Sequence, residues 1–166
     1  MSAPPRSLAP DARLRHEVAA LLRGRQAHVD ARAALGGVPP DRVADRAGGE
    51  HSLWELVEHL RFTQADILEF VRSAGYREKS WPADYWPDGP APSDAAAWEA
   101  ARQAFLADLD ALVALAETGD LYAELGHAPG YTLLRELLLA ADHNAYHLGQ
   151  VVALRRRLGL WPPDEA

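Results

Sequence analysis

Apolar residues recur at intervals of three and four along four stretches of this chain, the spacing of one face of an α-helix. The first stretch, from about Asp11 to Ala34, carries Leu14, Val18, Leu21, Leu22 and Val29 on one side, with Arg25 and His28 interrupting the stripe. The second opens on Ser52-Leu53-Trp54-Glu55. That is a capping box, in which Ser52 accepts from the amide of Glu55 while the Glu55 side chain reaches back. It continues to about Ser73, and Gly75 stops it. In the third, Ser93 is the expected cap of a run with Trp98, Ala101, Phe105, Leu109, Leu112 and Ala116 along one side. The fourth starts from Thr132 as cap and ends at Leu158, with Arg155, Arg156 and Arg157 in its last turn and Gly159 at the C′ position. Stretches dense in Gly, Pro and Asp separate them, at residues 35–51, 75–92 and 119–131. No segment alternates as a strand would, so the expected fold class is all-α.

Four amphipathic helices hide their stripes most simply against one another, which predicts a four-helix bundle with long connecting loops. The 75–92 connection spans roughly 55 Å when extended, enough to run the length of a helix and leave the second and third helices parallel. It carries Trp81, Tyr85 and Trp86. These aromatics either roof a pocket or pack onto the end of the bundle, the blander of the two readings.

Composition narrows the partners. At 166 residues the expectation is one domain over residues 1–166, with residues 1–10 a flexible N-terminal segment. A formal net charge of −7 argues against a nucleic-acid footprint, which needs clustered cations. The opening residues lack an apolar signal-like run and no later run reaches membrane-spanning length, so no membrane partner and a cytoplasmic location are expected. There is no cysteine, which limits any metal site to nitrogen and oxygen donors.

Those donors are at hand. His143 and His147 lie four residues apart in the fourth helix, an advance of about 6 Å with about 40° of turn, so both imidazoles leave one face. Spacing alone fits surface chance or a satisfied core pair as well. Their neighbours Ala140, Leu139, Val151 and Leu154 are apolar, and imidazoles buried among such residues are costly to leave unbonded. His59 in the second helix shares a face with Glu55, Phe62, Thr63 and Asp66, and bundle helices about 8–10 Å apart let histidines from two helices meet on one ion.

The runs Glu50-His51-Ser52-Leu53-Trp54-Glu55-Leu56-Val57-Glu58-His59-Leu60 and His143-Asn144-Ala145-Tyr146-His147-Leu148-Gly149-Gln150 resemble the DinB/YfiT-like metalloenzyme superfamily. The likeness extends from the first helix to Trp161-Pro162-Pro163. It implies an up-down-down-up bundle and a three-histidine metal site that maps onto His59, His143 and His147. It also implies thiol-dependent S-transferase or isomerase chemistry in some members and hydrolase or unassigned stress-associated roles in others.

The expected activity is therefore that of a metal-dependent enzyme, with zinc or nickel as the ion. It activates a low-molecular-weight thiol or water for transfer to a small electrophilic substrate. The alternatives are a metal-dependent hydrolase and a non-catalytic metal-binding stress-response scaffold. Glu55 and Gln150 are candidate catalytic groups, Glu55 as a general base or a support for a ligand, Gln150 as a hydrogen-bond partner for a ligand or an imidazole. His51 reads as a solvent-exposed hinge residue, Asn144 as facing elsewhere, and Trp54 and Tyr146 as core or interface aromatics. The arginine triplet reads as a solvated face that favours the helix dipole. Aromatic residues outside the core stripes, and the prevalence of two-fold assemblies, suggest a homodimer.

Overall fold

The computed structural model describes residues 9–162, and their secondary structure is mostly helical. Five helices follow in order: α1 (Pro10–Arg23), α2 (Ala31–Leu35), α3 (Leu53–Arg72), α4 (Ala95–Thr118) and α5 (Leu133–Arg157), with a two-stranded sheet of β1 (Glu124–Leu125) and β2 (Ala128–Thr132) before α5. Of the expected flexible segment, residues 1–8 lie outside the described residues, whereas Pro10 already begins α1. Pro163, at the end of the family-like stretch, also lies outside them.

The first stretch is not one helix. Gly24 ends α1 at φ 77°, donating its amide to the carbonyls of Ala20 and Leu21, and Arg25 follows at φ 64°. That left-handed pair breaks the helical path, and glycine takes it without the Cβ penalty. A Cβ at Gly24 would also lie 3.0 Å from the Asp30 Cα. The chain restarts at Asp30, whose side chain accepts from the Ala33 amide to cap α2. In consequence Leu21 and Val29, expected in the core, are exposed, and the face that packs is Val18, Ala19 and Leu22.

The other helix boundaries follow local chemistry. Ser52 and Glu55 form both bonds of the capping box at the start of α3, and the helix closes at Ser73, two residues before Gly75. Asp94, not Ser93, caps α4, because its carboxylate accepts from the Ala97 amide at 2.8 Å. Thr132 caps α5 through the Arg135 amide. The expectation of no strand fails in the 119–131 connection, where β1 and β2 pair antiparallel with an irregular register. Neither alternates in burial, and β2 holds Pro129 and Gly130, the latter at φ 86°. A ladder this short has no periodicity to read.

The long helices bury their stripes against one another: α3 packs on α4 and α5, and α1 on the same two. Trp98, Ala101, Phe105, Leu109, Leu112 and Ala116 of α4 are all buried, in one core with Leu56, Val57 and Leu60 of α3 and Leu137, Val151 and Leu154 of α5. Trp54 packs part-buried on this core, whereas Tyr146 is exposed. Among the described residues, no helix is long and apolar enough to cross a membrane.

One buried polar chain crosses the apolar interior. Asn144 Nδ2 donates to Gln64 Oε1 at 2.8 Å, and Gln64 Nε2 donates to the Phe105 carbonyl at 2.7 Å, tying α5 to α3 to α4. Gln64→Leu strands the Asn144 amide, at about 1–3 kcal/mol for a buried unsatisfied group, while the Phe105 carbonyl loses a second donor but keeps its bond within α4. Urea denaturation is expected to show a loss of about 1–3 kcal/mol with an unchanged m value. A loss below measurement error would mean that water satisfies the Asn144 amide.

Arg155 departs from the expected solvated face. Its side chain is fully buried, with Nη1 donating to the Ala34 carbonyl at 2.6 Å and Nε to the Leu160 carbonyl at 3.1 Å. The last carbonyls of α2 have no donors within their own short helix, and this guanidinium satisfies them.

Candidate metal centre

His59, His143 and His147 come together in the crevice between α3 and α5, with their candidate donor atoms within 4.8 Å of one another. The capping box sets the start of α3, which places His59 almost two turns in and buried. On α5 the four-residue spacing brings both imidazoles to the same crevice, with His147 buried and His143 half-buried. The Nε2 atoms converge: His59 lies 3.2 Å from His147 and 3.1 Å from His143.

The outer nitrogens decide what these inner ones can do. His59 Nδ1 lies 2.8 Å from the Tyr85 carbonyl, which only accepts, so the Nδ1 carries the proton and Nε2 is a bare lone pair. His147 Nδ1 lies 2.7 Å from Gln150 Oε1, with the same consequence. Two bare lone pairs therefore face each other 3.2 Å apart with no proton of their own to share. Excess protons do not enter near neutrality. Burial, then repulsion from His147 and His59, pushes the His143 pKa down to about 3. Burial and repulsion from His59 push His147 down to about 4, and burial lowers His59 as well.

A divalent cation fits this donor set. Nitrogens that share one ion at about 2.0–2.1 Å stand about 3–3.4 Å apart, the range of the two separations from His59 Nε2. The carbonyl and amide oxygens behind the imidazoles are partners of the kind that orient ligating histidines.

The 75–92 connection lies over the centre. The Trp86 ring stacks on His59 with centroids 4.1 Å apart and planes 4° from parallel, and His51 stacks on Trp86 at 4.1 Å. Trp81 approaches His59 edge-on at 6.2 Å, and Tyr146 approaches His147 edge-on at 4.8 Å. His51 is thus part of an aromatic stack and half-buried rather than an exposed hinge.

The remaining candidates have definite places. Both Glu55 oxygens are engaged, Oε2 by the Ser52 amide at 2.7 Å and Oε1 by Arg46 at 2.6 Å. Burial raises the Glu55 pKa, but these bonds outweigh it and hold the carboxyl below its usual range. Gln150 orients His147 and borders a small cleft of about 160 Å³ with His51, Leu56 and Arg157. Asn144 turns away from the histidines toward Gln64. Tyr85 and Trp86, expected only as aromatics that roof a pocket or pack onto the bundle end, hold His59 from behind and above, and the Tyr85 bond was not foreseen because a backbone carbonyl leaves no mark in a sequence.

The depressed histidine pKa values make stability depend on pH with a definite sign. In the unfolded chain these imidazoles protonate near 6.5, whereas in the native protein His147 and His143 resist until about 4 and 3. The unfolded state therefore binds more protons as pH falls, and the native state loses stability from about pH 6.5 downward. Chelator-treated protein is expected to melt lower at pH 5 than at pH 7.5, and His147→Gln to reduce that difference. An equal difference in both proteins would mean that His147 is not the group responsible.

The sequence profile of the DinB superfamily matches residues 15–151. No curated protein and no solved structure matches the chain.

Proposed function

This chain belongs to the DinB superfamily, and on that premise we propose that it is a divalent-metal-dependent enzyme acting by thiol or water transfer to a small electrophile. The observation that carries the reading is the pair of bare imidazole nitrogens on His59 and His147 held face to face, with His143 completing the set. Three protein donors leave a coordination position open, as in catalytic rather than closed structural sites. With no cysteine in the chain, a transferred thiol has to come from solution.

The protein's own groups supply position and shelter. Tyr85 and Gln150 hold the imidazoles in the tautomers that turn Nε2 inward, and Trp86 covers one face of His59. A bound divalent ion supplies positive charge that favours a thiolate or hydroxide over its protonated form near neutral pH. Zinc or nickel suits three imidazoles.

The finer architecture in this reading is a single up-down-down-up four-helix bundle. Contacts that ascend together, Trp54 to Gln64 with Ala97 to Phe105, support parallel α3 and α4. His59 with His147 and Phe70 with Tyr131 support an antiparallel α5, and Arg15 with Gly119 and Gly24 with Leu109 do so for α1.

Elemental analysis of untagged protein is the first test, with about one equivalent of zinc or nickel expected. Cobalt-substituted protein titrated with low-molecular-weight thiols is then expected to develop a thiolate charge-transfer band. A metal-bearing protein that shows no spectral change with any thiol, yet turns over an ester or amide, would replace transfer by hydrolysis. Protein that takes up no ion overturns the reading as a whole.

A further inference from the structure

Along the α3 and α5 crevice from the histidines lies a second feature, a cavity of about 450 Å³. Asp66 on its wall follows His59 by seven residues, about 10 Å along α3, and Leu139 precedes His143 by one turn. Its volume is that of a small-molecule site. Its walls are aromatic: Phe70 lies edge-on to Tyr76 at 5.0 Å and to Tyr131 at 5.7 Å, with Ile67 and Leu139 adding aliphatic surface.

The polar groups of the wall are unbalanced toward acceptors. The wall carries Asp66, Glu78 and Glu136 and one cation, Arg135, with Lys79 beside it paired to Asp66. That arginine is committed, since Nη1 donates to Glu136 Oε1 at 2.6 Å and its guanidinium lies over the Tyr131 ring at 4.5 Å. Lys79 bonds Glu69 at 2.6 Å, lies 5.8 Å from the Tyr76 ring centroid and forms an ion pair with Asp66 Oδ1 at 3.7 Å, too long for a hydrogen bond. The two tyrosine hydroxyls of Tyr76 and Tyr85 both donate to Asp66 Oδ2, at 3.2 and 2.7 Å. Asp66 Oδ1 is buried and has no hydrogen-bond partner among the described residues, and neither has Thr63 Oγ1, one turn back on the same side of α3.

A buried carboxylate oxygen left without a donor is costly, and a carboxylate only accepts, so an occupant that completes it has to donate. The faces of Phe70 and Tyr76 are partly negative and attract positive charge. We propose that this cavity binds a small organic cation, an ammonium group on an aryl or alkyl body. The ammonium bonds Asp66 Oδ1, and the body packs between Phe70, Tyr76 and Leu139. Nothing in this assignment depends on an ion at the histidines. Tyr85 joins the two sites, since its hydroxyl donates to Asp66 while its carbonyl accepts from His59. An occupant therefore sits one residue away from the support of the histidine cluster.

The test uses the full-length protein and three probes with one body: 2-phenylethylamine, 2-phenylethanol and 3-phenylpropionate. Calorimetric or ligand-observed NMR titrations are run on chelator-treated and zinc-supplemented samples. The amine is expected to bind at least about tenfold more tightly than the alcohol in both samples, with the carboxylate weakest. Asp66→Asn is expected to erase most of that preference while zinc content stays at the wild-type level. Equal binding of amine and alcohol to the wild-type protein overturns the proposal without any variant. So does an amine preference that survives in a folded Asp66→Asn protein. Wild-type protein that takes up no zinc yet prefers the amine would instead count against the metal reading alone.

Discussion

His147→Ala is expected to lower affinity for a divalent ion by more than about 100-fold while the helical circular dichroism spectrum stays close to wild type. The size follows from what is removed. His147 presents a bare Nε2 3.2 Å from that of His59, and alanine leaves two imidazole donors where there were three. Partners behind a ligand typically matter by about 10–100-fold, so loss of the donor itself should exceed that range. Gln150→Ala supplies the internal comparison, because it frees the His147 ring to rotate without deleting its nitrogen. Its effect should fall within the 10–100-fold range. The fold survives both changes because Phe105, Leu112, Leu137 and Val151, all fully buried, lie in a core that needs no ion. Chelator competition with zinc, alongside elemental analysis, measures the series. Equal affinity in wild type and His147→Ala would remove His147 from the ligand set, and loss of helicity would make an ion structural.

What could be read in the sequence, and what could not, divides by the range of the interaction. The α4 stripe from Trp98 to Ala116 and the Ser52 capping box are local patterns, and both appear where the spacing put them. The convergence of His143 and His147 is also local, since one helical face delivers it. That His59 joins them needed a helix neighbour, and the amphipathic pattern implied one. The break at Gly24 was hidden because Leu21 and Val29 continued an apolar rhythm that the chain does not use, and the interruptions at Arg25 and His28 were its only trace. The β1 and β2 pair was hidden for the opposite reason, having no rhythm at all. Tyr85 supports His59 through its backbone, which any residue would possess. The stack of His51, Trp86 and His59 joins three residues from two loops and a helix, and no spacing rule connects them.

Arg155 is the sharpest instance of tertiary context overriding a local reading, and replacing it by alanine is expected to cost about 3–5 kcal/mol. Its position in a run of three arginines at a helix C-terminus is fully accounted for by the helix dipole, yet Arg156 and Arg157 are exposed and Arg155 is not. Burial lowers its pKa, as expected for a cation taken out of water, and among the described residues it has no carboxylate partner. Backbone carbonyls take that place. Ala33 and Ala34 of α2 and Leu160 beyond α5 all accept from it, and its guanidinium lies 5.1 Å from the Trp161 ring. Alanine leaves the carbonyls buried without donors and opens a cavity, so both terms act in the same direction. Methionine fills most of the volume and removes the desolvated charge, so Arg155→Met should cost less than Arg155→Ala. Zinc affinity should be unchanged in both, because Arg155 lies eight residues, about 12 Å, beyond His147 along α5. Urea denaturation gives the order of the two variants. A cost under about 1 kcal/mol for alanine would show that water reaches these carbonyls and that α2 is not held by Arg155.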